Sequence, residues 1–152
     1  MTVKAYVAIG ANLGDARETV ERAIADLAAL PDTRLMARSS LYRTAPVDAT
    51  GPDFINAVVT LETALDPHAL LTELHRLEAV AGRQRPYRNA PRTLDLDLLR
   101  HGDVAVQTES LTLPHPRMNE RAFVLLPLAE VAPEQVTREQ IALVADQRIE
   151  RL

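Results

Sequence analysis

At 152 residues, with 47% hydrophobic and 25% charged residues, the chain has the length and balance of one domain that buries most of its apolar surface, which excludes a disordered polymer. A formal net charge of −4 excludes a broad basic footprint for nucleic acid, and the absence of cysteine excludes disulfides and thiolate chemistry. The apolar run at residues 5–9 is too short for a signal-peptide core or a membrane span, so one soluble, cytoplasmic domain over residues 1–152, taken as a monomer, is the expectation.

In chain order, residues 2–9 alternate as a strand with Val3, Ala5, Val7 and Ile9 on one face, and "GANLGD" turns the chain. Asp15, with Glu18 three residues on, has the pattern of a capping box. Val20, Ala23, Ile24, Leu27 and Leu30 then recur at helical spacing until Pro31. A strand is expected over residues 34–43, a loop through "TAPVDATGPDF", and a β-branched strand over residues 55–63. Asp66 and Pro67 open a second helix as N-cap and first helical residue. Its apolar stripe is Leu70, Leu71, Leu74, Leu77 and Ala81, with Gly82 suited to the position past its end.

"PRTLDLDLLR", residues 91–100, reads as the next strand, with Leu94, Leu96 and Leu98 on one face and Asp95 and Asp97 on the other. A turn at "RHGD" leads to residues 104–106, then a short extended piece, a Pro-rich turn and a short helix within residues 111–123. Thr137 and Gln140 have the spacing of a capping box that opens a C-terminal helix. The order β-α-β-β-α-β with additions predicts an α+β, ferredoxin-like α/β sandwich. Its sheet is mainly antiparallel with helices on one face, which leaves the other face for a site.

The two aspartates lie about 6.6 Å apart along the strand, like charges pointing the same way. They fit either the wet face of an amphipathic strand or a divalent cation such as Mg²⁺, which takes few protein carboxylates and completes its shell with water and phosphate oxygens. Just before them, "GRQRPYRNAPR" holds Arg83, Arg85, Arg88 and Arg92 and no acid. Four guanidinium groups in ten residues repel one another unless solvated or gathered around an anion. Guanidinium groups beside paired carboxylates match the needs of a polyphosphate–metal complex. A second basic set, His115, Arg117 and Arg121, follows in "PHPRMNER". No P-loop, no G-x-G-x-x-G and no H-E-x-x-H is present.

The segments "AYVAIGANLGD", "SSLYRTAPV", "DFINAVVTLET", "LEAVAGRQR", "PRTLDLDLL" and "LTLPHPRMNERAFVLLPLAEVAP" run in one order over about residues 5–133. In them the chain resembles the 6-hydroxymethyl-7,8-dihydropterin pyrophosphokinase family. That resemblance implies transfer of diphosphate from ATP to the hydroxymethyl group of the pterin, with release of AMP, in folate biosynthesis. It implies two Mg²⁺ ions on Asp95 and Asp97, with Asp97 also counted as catalytic. Arg83 and Arg92 would stabilise charge on the transferring group. Glu78, Arg85, Thr112, His115 and Arg121 would join them around ATP. Thr44, Ala45, Val47, Phe54, Asn56 and Phe123 match the pterin pocket, the first three through backbone groups. Asn89 and Ala90 stand where the family often has Trp-Gly, so Tyr87 either supplies the aromatic cover or the pterin is less fully sandwiched. Ser110 stands where a basic residue assists the nucleotide in the family. A nucleotidyltransferase with the same aspartate pair would release pyrophosphate instead of AMP. A regulatory pterin-binding module would need neither the acids nor the arginines.

Overall fold

Alternating small and branched apolar residues make β1 (Val3–Ala11) the centre of an antiparallel sheet in a computed structural model that describes residues 1–46, 51–82 and 93–152. On one side it pairs with β4 (Phe54–Thr63), with Gly10 opposite Asn56, and on the other with β5 (Asp95–His101), with Gly10 opposite Asp95 and Ala8 opposite Asp97. β2 (Thr33–Arg38) and β3 (Tyr42–Thr44) both pair with β4. The single strand expected over residues 34–43 is therefore two. Ser39 breaks it: its hydroxyl donates to the Ser40 carbonyl and accepts the Val58 amide, while its own amide donates to the Val58 carbonyl. The outer edge beyond β3 is completed by β8 (Ile149–Arg151), with Thr44 opposite Ile149. β6 (Val106–Gln107) and β7 (Thr112–Leu113) form a separate small hairpin.

Two helices cover one face. α1 (Ala16–Ala28) starts where the Asp15 carboxylate accepts the Glu18 amide at 3.1 Å. Glu18 spends its own carboxylate on Arg22, at 2.9 Å one turn along the helix. α2 (Pro67–Gly82) starts where Asp66 accepts the Ala69 amide at 2.7 Å, and it runs through Gly82 rather than stopping before it. Val20, Ile24 and Leu27 of α1 and Leu70, Leu74 and Leu77 of α2 pack on Val7, Ile9, Val59, Leu61, Leu96 and Leu98 of the sheet. Leu71 and Ala81 of the expected stripe are only partly buried.

The opposite face is not left open. α3 (Ala122–Val131) lays Val124 and Leu128 on Tyr6, Ala8, Val58 and Leu99. Leu99 is the extra residue of β5 at the register slip opposite Tyr6 and Val7, and it faces this side while Leu98 stays on the other. α3 follows a single 3₁₀ turn (Met118–Glu120) and contains Pro127. It is apolar almost all round, which suits a helix buried between sheet and C-terminus. α4 (Arg138–Leu143) has the complete capping box: Gln140 donates its amide to Thr137 Oγ1 and accepts the Thr137 amide. Among the described residues no helix is long and apolar enough to cross a membrane.

Candidate active site

Where α3 ends its cover of the second face, the sheet forms the floor of a cavity of about 870 Å³. Ala8 and Gly10 of β1 lie at the bottom, Asn56 and Phe54 of β4 on one side, and Asp95 and Asp97 of β5 on the other. Period-two alternation puts these residues here: their neighbours Ile9, Ile55, Leu96 and Leu98 face the core instead. Gly10 keeps the floor low, since a Cβ there would stand 3.2 Å from Asn56 Oδ1. Asn56 is buried and donates its amide to Thr44 Oγ1 at 2.8 Å, which ties the Thr44–Ala45 wall to the floor. The far wall is Arg121, Ala122 and Phe123, where the Arg121 guanidinium lies 5.3 Å from the centre of the Phe123 ring. That is cation–π distance.

Eight expected site residues thus face one space: Thr44, Ala45, Phe54, Asn56, Asp95, Asp97, Arg121 and Phe123. His115 stands beside it, with Nε2 3.9 Å from Asp97 Oδ1. Its Nδ1 accepts the Arg117 amide at 3.2 Å, and its own amide donates to the Leu99 carbonyl. Burial pushes the His115 imidazole below its ordinary pKa; Asp97 pulls it up, and Arg121 and Arg117 push it down again. At neutral pH the ring is therefore mainly uncharged, with Nδ1 as acceptor and a proton on Nε2 facing Asp97. Glu78 lies on α2 and accepts the Leu96 amide at 2.8 Å, between the two aspartates on the outer edge of β5. Thr112 is an exposed residue of β7 and does not line the cavity. Val47, Arg83, Arg85 and Arg92, with Arg88, Tyr87, Asn89 and Ala90, lie outside the described residues.

Gly10, Arg117, Glu120, Gln147 and Arg148 also line the cavity. Arg117 stood out in the basic cluster around His115. Gly10 was expected in the turn "GANLGD", but β1 continues to Ala11 and makes it a glycine inside a strand, where close approach of another group is one usual reason. Gln147 and Arg148 gave none, because only the pairing of β8 with β3 brings the C-terminus to the site.

Chemically the cavity opposes carboxylates and cations. Two aspartates hold one wall, and Arg117, Arg121 and Arg148 contribute cations around the others. Among the described residues no group of three or more His, Cys, Asp or Glu gathers for a metal. A pair of aspartates of this kind suits an ion that keeps much of its shell for water and phosphate. An aromatic and amide-lined slot lies within the same space.

The sequence matches the family model described as 7,8-dihydro-6-hydroxymethylpterin-pyrophosphokinase (HPPK) over residues 6–133. It is 43% identical over 155 residues to the 2-amino-4-hydroxy-6-hydroxymethyldihydropteridine pyrophosphokinase of Methylorubrum extorquens, covering 98% of each chain. The Haemophilus influenzae protein of the same name is 39% identical over 157 residues, covering 99% of this chain and 98% of that one. Among solved structures, a Plasmodium falciparum HPPK-DHPS variant with pteroate superposes with a TM-score of 0.72 at 14% identity. The match covers 99% of this chain and 46% of that longer one, and at this identity the likeness is one of fold.

Proposed function

The chain belongs to the 7,8-dihydro-6-hydroxymethylpterin-pyrophosphokinase family and is a pyrophosphokinase of folate synthesis, and we propose that the cavity over β1, β4 and β5 is where it joins ATP to the hydroxymethyldihydropterin. One observation carries this reading. Asp95 and Asn56 flank the same residue, Gly10, in paired strands, so a phosphate–metal region and a ring pocket share one floor. With strands about 4.8 Å apart, the two side chains start roughly 10 Å from each other. A flat bicyclic ring held on the Asn56 side reaches its substituent toward the aspartates.

In this reading the pterin lies between Phe54 and Phe123, with Asn56 offering its amide to the ring and Thr44, Ala45 and Val47 offering backbone groups. The slot has the usual form of a small-molecule site, mostly apolar walls with few convergent polar atoms. Burial and the bond to Thr44 fix the Asn56 rotamer in advance. Asp95 and Asp97 would hold Mg²⁺, two ions in our proposal, and these supply charge neutralisation and polarisation of the phosphate oxygens when bound. Arg83, Arg85, Arg92, Arg121 and His115 would grip the phosphates, Arg83 and Arg92 at the transferring group. Guanidinium forks suit that task in shape and charge. Thr112 would serve the nucleotide. Glu78, by holding the Leu96 amide, would act on the nucleotide site through the aspartate strand.

The hydroxymethyl oxygen attacks the β-phosphorus of ATP. The bond from that phosphorus to the oxygen bridging it to the α-phosphorus breaks, AMP leaves with that oxygen, and the hydroxyl proton passes to water. Most of the acceleration in such a transfer comes from positioning and charge neutralisation, and this cavity provides both. Incubation with ATP, Mg²⁺ and the hydroxymethyldihydropterin should yield AMP and the pterin diphosphate in equal amounts by chromatography. Formation of ADP or of pyrophosphate, or no consumption of ATP, contradicts the reading.

A further inference from the structure

We infer that Gln147 is a positioning residue that sets Arg121 against the reacting phosphates, an inference that rests on the role proposed above for Arg121. Arg121 is the single extended residue between two helical turns, the 3₁₀ turn that ends at Glu120 and α3 that begins at Ala122. Its backbone at φ −127° and ψ 116° provides no side-chain cap for α3. The Gln147 amide group closes that junction from outside. Its Oε1 accepts the Ala122 amide at 2.9 Å and its Nε2 donates to the Glu120 carbonyl at 2.8 Å. The two bonds bracket Arg121 on both sides, which restricts rotation of the peptide planes that aim its side chain. An orphan amide at the helix start and an orphan carbonyl at the turn end are satisfied together.

Gln147 is itself held at both ends. Its amide donates to the Val144 carbonyl, and Val144 is buried against Ala122 and Leu125. Two residues on, Ile149 pairs with Thr44, on the opposite wall of the cavity. A second tie runs from Gln140 Nε2 to Asn119 Oδ1 at 3.1 Å, on the turn just before Glu120. The C-terminal segment thus spans from the Thr44 wall to the Arg121 wall, and Gln147 is the side chain by which it sets their relation. Small displacements of a group that stabilises a transition state have large kinetic effects, on the order of 100-fold for about 1 Å.

The test is a double-mutant cycle on the full chain, with kcat/KM for ATP measured at saturating pterin alongside the thermal midpoint of each variant. Gln147→Ala should lower kcat/KM by about 10-fold or more. In an Arg121→Ala background the same change should matter less than about 2-fold, because the group it aims is gone. A purely structural cap would lower the thermal midpoint and leave kcat/KM of the folded protein alone, or would give the same loss in both backgrounds; either result overturns the inference. Gln147→Glu keeps an acceptor for Ala122 and loses the donor to Glu120, and carries the same comparison should the alanine variant not fold. If Arg121→Ala alone turns over at the native rate, the proposed role of Arg121 fails and this inference falls with it. If Arg121→Ala is impaired and neither Gln147 variant is, only the inference fails.

Discussion

The aspartate pair carries the heaviest demand on any single side chains here. Asp97 keeps 44% of its side chain exposed, and its ion-pair partner among the described residues is His115, 3.9 Å away, whose imidazole burial holds below its ordinary pKa. In the function proposed above such a carboxylate takes a metal, and one metal contact supplies several kcal/mol of transition-state stabilisation. Asp95→Ala or Asp97→Ala should therefore lower kcat on the order of 1000-fold, read in the AMP assay with unchanged circular dichroism. Retained turnover would make the pair a solvated face after all. Gly10 is tested in the other direction. Its substitution by Ala puts a Cβ 3.2 Å from Asn56 Oδ1 and crowds the amide that we propose holds the pterin. A crowding penalty of about 1.4 kcal/mol, within the ordinary range for overpacking, raises the pterin KM about tenfold. The KM for ATP should stay put, and a shift in ATP KM with none for pterin would contradict the assignment of the slot.

At the scale of elements, α3 is the piece that turns a two-layer sandwich into a site, and Glu130 is how it is fastened. Its carboxylate accepts the Ser40 amide at 3.0 Å, the Ser40 hydroxyl at 2.9 Å and the Tyr42 hydroxyl at 2.8 Å, with Arg151 at 3.6 Å. One side chain joins α3, the break between β2 and β3, and β8. Burial pushes the Glu130 carboxyl up, yet these hydrogen bonds and Arg151 outweigh it and hold the carboxyl below its ordinary value. Burial, and then the bond to Glu130, push the Tyr42 phenol up to about 12. Because folding lowers the Glu130 pKa, its contribution is full above the ordinary carboxylate range and is lost as the pH falls through the lowered value. Glu130→Ala should cost about 2–3 kcal/mol in urea unfolding at neutral pH, the usual loss when charged hydrogen bonds are removed. The gap to the native protein should narrow in acid. An equal gap at both pH values would show that packing, and not the carboxylate, is what Glu130 contributes.

For the molecule as a whole, the sheet order β5-β1-β4-β3-β8 explains which parts of the site were legible in the sequence. Period-two alternation in β1, β4 and β5 exposed the floor, since Asp95 and Asp97 could only face away from their leucines. Helix starts at Asp15, Asp66 and Thr137 were local chemistry and therefore readable. The split between β2 and β3 was hidden because no Gly or Pro marks it, and the bonds of Ser39 to Ser40 and Val58 are what break the strand. α3 was hidden because a segment apolar but for Glu130, with an internal proline, shows no stripe. That helix is also why the second face is half covered instead of free. β8 and Gln147 depend wholly on tertiary pairing, which one sequence does not display. The basic clusters were legible as chemistry: Arg117 and Arg121 line the cavity, and Arg83, Arg85, Arg88 and Arg92 lie outside the described residues.

The central claim, that this cavity moves a diphosphate and not one phosphoryl group or a nucleotide, is tested most directly by following the β-phosphorus. With ATP labelled at that atom, the account predicts that the label appears in the pterin product while AMP is unlabelled. Label left in ADP, or a pterin product carrying adenosine, would contradict it.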